Sequence, residues 1–74
     1  GVGAAQVRIA ALRQALAGPA RRHPKAAEVE RLVARGERLV GLVDEGRGVH
    51  NYELSLGLLA KAGEHLAAAE ALLR

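Results

Sequence analysis

A histidine follows a glycine-rich turn in residues 45–66, which read EGRGVHNYELSLGLLAKAGEHL. Gly46 and Gly48 tolerate positive φ and predict a tight turn, and His50 comes two residues later, where a helical pattern begins. A neutral imidazole is a common metal ligand and a common axial ligand to haem iron. A histidine at a helix start also serves as a helix cap. The sequence therefore leaves two interpretations of His50 open: a single ligand for a metal held elsewhere, or a cap.

The sequence contains few other residues that could support catalysis or ligand binding. Ser55 is the single serine, and the chain has no threonine and no cysteine, so we expect no catalytic site. Gly46-Arg47-Gly48 follows no strand and precedes no Gly-Lys-Ser/Thr, which excludes a phosphate loop. His50 and Glu53 are one helical turn apart, but a closed metal site needs four ligands. His23 and His65 stand too far along the chain to join them. The absence of cysteine excludes disulfides, thiolate metal sites and covalent haem attachment within these residues.

Composition predicts one small domain with a thin core. The chain has 74 residues, no Phe, Trp or Met, and Tyr52 as its single aromatic residue. Core area must therefore come from Leu, Val, Ile and small Ala side chains. In scaffolds this short, burial about balances the conformational entropy lost on folding. We expect stabilisation by a partner chain, a cofactor or a larger parent protein.

The charge pattern is that of a solvated helical surface. Eleven basic and eight acidic residues give a formal net charge of +3, and the two signs mostly alternate. A local basic cluster occurs at Arg21, Arg22, His23 and Lys25. Aromatic residues that stack on bases are missing, so nucleic acid is not the expected partner. No apolar run approaches the length of a membrane span.

Three amphipathic helices are predicted, at about residues 4–17, 24–44 and 51–73. The first ends at Gly18-Pro19. The second begins at Pro24 with His23 as its N-cap, and the third is capped by Asn51 or His50. The predicted apolar seams are Ala5, Ile9, Leu12 and Leu16; Val29, Leu32, Val33, Gly36, Leu39, Val40 and Val43; and Leu54, Leu58, Ala62, Leu66, Ala69 and Leu73.

These helices predict an all-α domain over residues 1–74. It is a small antiparallel three-helix bundle, or a long helical hairpin with a short first helix. Gly36 lies on the apolar seam of the second helix. It indicates either close approach of another helix or flat ligand, or a tolerated neutral glycine.

The segment Gly48-Val49-His50-Asn51-Tyr52, with Leu58-Leu59 and Ala62 after it, resembles a Gly-Val-His-Asn segment of multihaem c-type cytochromes. In that family the segment opens a long helix in a helical C-terminal region. The resemblance covers about residues 46–62. It implies that His50 is an axial ligand to the iron of a haem c bound covalently elsewhere. It also implies a periplasmic or extracellular location. The chain departs from the family because it has no C-x-x-C-H.

The expected function is therefore a helical accessory or terminal module of a multihaem electron-transfer cytochrome. It packs on a haem-bearing region or subunit and supplies His50. The alternative is a haem-free helical interaction domain that forms a homo-oligomer or binds a partner helix. A small nucleic-acid-associated bundle is the third interpretation, and it rests on the arginine content.

Overall fold

The computed structural model describes residues 1–46 and 52–74, and within them the chain is an all-α bundle. Its three helices are α1 (Val2–Ala17), α2 (Ala26–Asp44) and α3 (Tyr52–Leu73). The molecule measures 42 × 16 × 15 Å, so its long dimension follows the helix axes. The predicted fold class, a small antiparallel three-helix bundle, is confirmed.

The starts of α1 and α2 each differ by two residues from the predicted ones. α1 begins at Val2, two residues early, and α3 is helical from Tyr52. The predicted start of α2 at Pro24, with His23 as its N-cap, is wrong: the helix begins at Ala26 with Lys25 as its N-cap. Two turns occupy this stretch, because the N–H of His23 donates to Ala20 and the N–H of Ala26 donates to His23. The predicted caps Asn51 and His50 lie outside the described residues.

The predicted seams form the core. One residue in the middle of each seam shows the pattern: Leu12 is 5% exposed, Val33 is 0% exposed and Leu66 is 0% exposed. Leu54 is 52% exposed at the start of α3, and Val43 and Leu58 are half-buried outside this core. The buried apolar set is Ala5, Leu12, Val29, Val33, Val40, Ala62, Leu66 and Ala69. Helices α2 and α3 make the most extensive pairing, and α1 packs against both.

At Gly36, α2 and α3 approach each other closely. A Cβ atom built at Gly36 would lie 3.0 Å from Cδ2 and 3.2 Å from Cγ of Leu66, and 3.7 Å from the carbonyl oxygen of Ala62. Real Cβ atoms rarely approach a neighbour so closely. Of the two interpretations of this glycine, the structure supports close approach of another helix.

Arginines of α1 connect the first helix to both others. Arg8 donates from Nε and Nη2 to the Glu70 carboxylate of α3, at 3.0 and 2.7 Å. Arg13 donates to two α2 carboxylates, from Nε to Glu37 at 3.3 Å and from Nη1 to Glu30. A two-point guanidinium–carboxylate bond fixes orientation as well as distance. These pairs therefore set the position of α1 on the α2–α3 pair.

The molecule keeps a large accessible surface for its mass. That surface is 4831 Å², against about 4,300 Å² for a typical folded monomer of 7.7 kDa. The largest fully buried side chains are Leu66, Val29 and Val33. The core is as thin as the composition predicts, and much apolar surface stays in contact with solvent.

Candidate docking site at the start of helix α3

The described part of the chain stops at Gly46 and resumes at Tyr52, on either side of the predicted second turn. Gly46, just after α2, has φ of 83°, a left-handed conformation that favours glycine. The positive φ expected in this turn is therefore confirmed at Gly46. His50, the predicted axial ligand, falls within residues 47–51, outside the described part of the chain. Its role in haem binding stays a prediction.

The first turns of α3 expose large apolar side chains. Tyr52 is 75% exposed, Leu54 is 52% exposed and Leu56 is 48% exposed. We call these three residues the α3-start surface; Tyr52 and Leu56 share one side of the helix, and Leu54, two residues from each, lies on the nearly opposite side. Glu53, within the same turn, places a carboxylate at the positive end of the helix, as the sequence predicts. In the sequence, His50 stands four residues before Leu54.

One side of this helix start carries two leucines and a glycine. Leu54, Gly57 and Leu58 share a face, because they are spaced at i, i+3 and i+4. A Cβ atom at Gly57 would meet no other atom within 4 Å, so the space beside it is open. Leu58 is half-buried, and Ala60 at the edge of this face is exposed. Leu54, Gly57 and Leu58 thus form an apolar strip along one side of the first turns of α3.

The other histidines are distant from this surface. His65 is half-buried and lies about 18 Å further along α3 than Glu53, at 1.5 Å per residue. His23 lies in the α1–α2 turn, at the opposite end of the antiparallel bundle, where its Nδ1 accepts a hydrogen bond from the Lys25 N–H at 2.9 Å. In residues 1–46 and 52–74, no three His, Asp or Glu side chains converge into a metal site.

The interhelical ion pairs shift the pKa values of Arg8, Arg13 and Glu70. Hydrogen bonds from Arg8 lower the pKa of the Glu70 carboxyl below its ordinary value, and those bonds raise the pKa of Arg8. Hydrogen bonds to Glu37 and Glu30 likewise raise the pKa of Arg13. These shifts keep Arg8, Arg13 and Glu70 charged at neutral pH, so the three groups position α1 rather than transfer protons.

Sequence reasoning missed these interhelical roles. The seam pattern of α1 separates Arg8 and Arg13 from the apolar residues, but periodicity cannot say which helix each will reach. One signal was present in the sequence: these two arginines are the only charged residues of α1. A helix with so few charges places them where a partner carboxylate is available.

The predicted basic cluster is solvent-exposed and lies away from the α3-start surface. Arg21, Arg22 and Lys25 are exposed in the turn between α1 and α2. None of the three forms an ion pair within the described residues. No described helix is long and apolar enough to cross a membrane.

Comparison with known proteins gives no assignment. No protein-family profile, no curated protein and no solved structure matches this chain.

Proposed function

We propose that this chain is a non-catalytic helical module of a multihaem electron-transfer cytochrome. In this role the bundle docks on a haem-bearing region or subunit through the α3-start surface, and His50 supplies an axial nitrogen to one iron. The observation that carries the proposal is the exposure of Tyr52, Leu54 and Leu56 directly after the Gly-Val-His-Asn segment. These exposed apolar side chains surround the helix start, with Leu54 on the opposite side from Tyr52 and Leu56, so a partner that covers all three would enclose the first turns of α3.

The chain's contribution would be positional. Leu54, Gly57 and Leu58 provide an apolar face beside the axial nitrogen, and the open space at Gly57 admits the edge of a flat ring. The haem group, when bound by its own region, supplies a one-electron couple at iron. The imidazole of His50 would hold that iron from this chain, and a histidine ligand there would favour electron transfer over substrate binding. The expected location is periplasmic or extracellular, as the resemblance implies.

Such a module would need no disulfide bonds to hold its helices together. The α2–α3 pairing at Gly36 and the arginine bonds of α1 hold the helices in a fixed arrangement. A rigid helical support delivers a ligand nitrogen to a defined place, and precise placement is what a preformed site requires.

The test is an absorption spectrum of the protein isolated from its native source, with intact masses of all co-purifying chains. We expect a low-spin haem spectrum and a cysteine-containing haem chain beside this one. His50→Ala should convert one haem to high spin. His65→Ala is the matched control, because it removes a histidine from the same helix at about 18 Å from Glu53 and should leave the spectrum unchanged.

A colourless preparation whose only mass is this chain would overturn the haem role. The second candidate is then a haem-free helical interaction domain, which the exposure of Leu42 and Leu54 favours independently of His50. Helicity that depends on concentration, without colour, would identify that domain. Co-purifying nucleic acid that salt removes would instead support the third interpretation and place the contact at the basic α1–α2 turn.

A further inference from the structure

An open groove lies between helices α1 and α2. We call the space bounded by Ile9, Ala10, Val40 and Gly41 the α1–α2 groove, and its volume is about 420 Å³. Small-molecule sites in proteins typically measure about 300–1,000 Å³. Two small residues leave this space open, because Ala10 ends at Cβ and a Cβ atom built at Gly41 would meet nothing within 4 Å. The groove therefore has the size of a small-molecule site.

The floor of the α1–α2 groove is apolar. Val40 is 3% exposed and belongs to the core, and Ile9 is half-buried against that core. Ala10 remains exposed at the rim. A ligand with an aliphatic body would remove the remaining apolar area of these residues from water, and this burial favours binding.

An ion-pair cluster bounds the groove at the end nearer the α1–α2 turn. Arg13 donates hydrogen bonds to Glu37, which lines the groove, and to Glu30, which lies on the other side of the guanidinium. One positive charge thus faces two negative ones, and the cluster carries an excess of negative charge. Because Arg13 already donates to two carboxylates, it offers little to an anionic ligand.

A carboxylate without a partner lines the opposite end of the groove. Asp44, the last residue of α2, is exposed and forms no ion pair with any described residue. The last turn of α2 contains no basic residue, although the negative end of the helix dipole favours a cation there. Gln6 lines the same end from α1, and its amide can donate or accept a hydrogen bond.

The length of the groove sets the size of its ligand. Gln6 and Arg13 on α1, and Glu37 and Asp44 on α2, are each seven residues apart, which corresponds to about 10 Å along a helix. An extended chain of about eight bonds covers this distance at about 1.2 Å per bond. A partner helix of several turns would extend well beyond both ends, so the groove suits a small molecule.

We propose that the α1–α2 groove binds a small amphiphilic amine, with its apolar body against Ile9 and Val40 and its ammonium group beside Asp44. The chain has a formal net charge of +3, yet both ends of this groove carry excess negative charge. Charge complementarity therefore selects a cation here. The inference goes beyond the proposed function, requires no haem and uses no residue of the α3-start surface.

The test is a two-dimensional NMR titration of the whole ¹⁵N-labelled chain with n-octylamine, which is protonated at neutral pH as lysine is. We expect saturable shifts at the groove, with a dissociation constant of about 1 mM or lower. Octanoate has the same length and the opposite charge, and it should bind at least about fivefold more weakly.

Two pairs of neighbouring residues provide matched variants. Asp44→Asn should weaken octylamine binding at least about fivefold, whereas Glu45→Gln, which removes an exposed carboxylate outside the groove, should change it less than about twofold. Ala10→Leu should fill the groove and abolish binding. Ala11→Leu adds the same side chain at an exposed position that does not line the groove and should leave binding unchanged. Circular dichroism confirms that each variant folds.

Three results would overturn the amine site. They are no saturable shift up to about 20 mM octylamine, equal binding of octylamine and octanoate, and equal effects within either pair of variants. Shifts centred on Tyr52 and Leu56 would likewise show adsorption to exposed apolar side chains instead of binding in the groove. Because the sample contains no haem, every outcome leaves the haem-docking proposal to its own test.

Discussion

The two sides of the α2–α3 hairpin use the same kinds of residue and end in different states. On the side that α1 covers, Leu12 and Ala5 of α1 are 5% and 9% exposed, and arginine bonds tie α1 to both other helices. On the side away from α1, Leu42 of α2 is 45% exposed and no described helix lies above it. The apolar pattern of α2 continues around both sides. What becomes core is therefore decided by the presence of a third helix rather than by the pattern alone.

Charge placement differs between the two sides as well. The carboxylates on the covered side, Glu30, Glu37 and Glu70, each pair with an arginine of α1. On the side away from α1, Arg35 and Glu28 form no ion pair with any described residue. The carboxylates that face α1 are therefore paired within one chain, whereas these two charges are not.

The largest expected effect comes from truncating a leucine on each side. Leu12→Ala should lower the free energy of unfolding by about 2–4 kcal/mol, because it leaves a cavity under α1. Leu42→Ala should change it by less than about 0.5 kcal/mol at low protein concentration, because that side chain is 45% exposed. Urea unfolding monitored by circular dichroism measures both values. Equal losses would remove the distinction between the two sides.

The second comparison is between two glycines of α2: Gly36, which packs against α3, and Gly41, which has open space beside it. Gly36→Ala places a Cβ 3.0 Å from Leu66, and we expect crowding to outweigh the better helix propensity, with a net loss of up to about 2 kcal/mol. Gly41→Ala meets no atom within 4 Å and should stabilise by about 0.5–1 kcal/mol. Thermal melting of the two variants measures both signs.

The glycine pair also tests the helix spacing itself. If Gly36→Ala stabilised the chain as much as Gly41→Ala, α2 and α3 would have to lie further apart than the Gly36–Leu66 contact implies. The interpretation of Gly36 as a close-approach residue would then be wrong, and the glycine would be a neutral one.

The smallest expected effect concerns the ion pair between α1 and α3. The folded-state pKa of Glu70 lies below its unfolded value, so this pair stabilises the bundle above about pH 4.3 and loses its effect as the pH falls further. Both side chains are more than a third exposed, which limits the contribution to less than about 1 kcal/mol.

Glu70→Gln should therefore lower the urea midpoint at neutral pH and leave it almost unchanged near pH 3. Glu64→Gln is the control, since its ion pair with Lys61 lies within α3, at 3.5 Å, and does not join two helices. A difference between wild type and Glu70→Gln that persisted undiminished at pH 3 would contradict the electrostatic origin of the effect.

The sequence was sufficient for the fold because the apolar spacing of each helix is regular. Val29, Val33, Gly36 and Val40 fall on one face of α2, and all four are buried. The start of α2 was misplaced because Pro24 suits both the first helical position and a turn, and backbone bonds at His23 favoured the turn. Leu54 fits its seam by spacing, but at the start of α3 it remains 52% exposed.

The candidate site was less predictable, for physical reasons. The exposure of Tyr52 and Leu56 depends on how far α1 reaches along α3, and local periodicity carries no such information. The bonds of Arg13 to two α2 glutamates depend on the rotation of α1 about its own axis. The two interpretations of His50 depend on a partner, and no pattern within 74 residues decides between them.

The Arg8–Glu70 bond also bears on the order in which the bundle assembles. Its residues are 62 positions apart, whereas α2 and α3 are consecutive in the chain, α2 ending at Asp44 and α3 beginning at Tyr52. Bringing together chain ends so distant costs about 3.7 kcal/mol in loop entropy, so contacts between consecutive helices form first. We expect the bond to be absent from the transition state for folding. Its removal would then accelerate unfolding and leave the refolding rate unchanged. Arg8 would therefore slow the detachment of the first helix without helping it to dock.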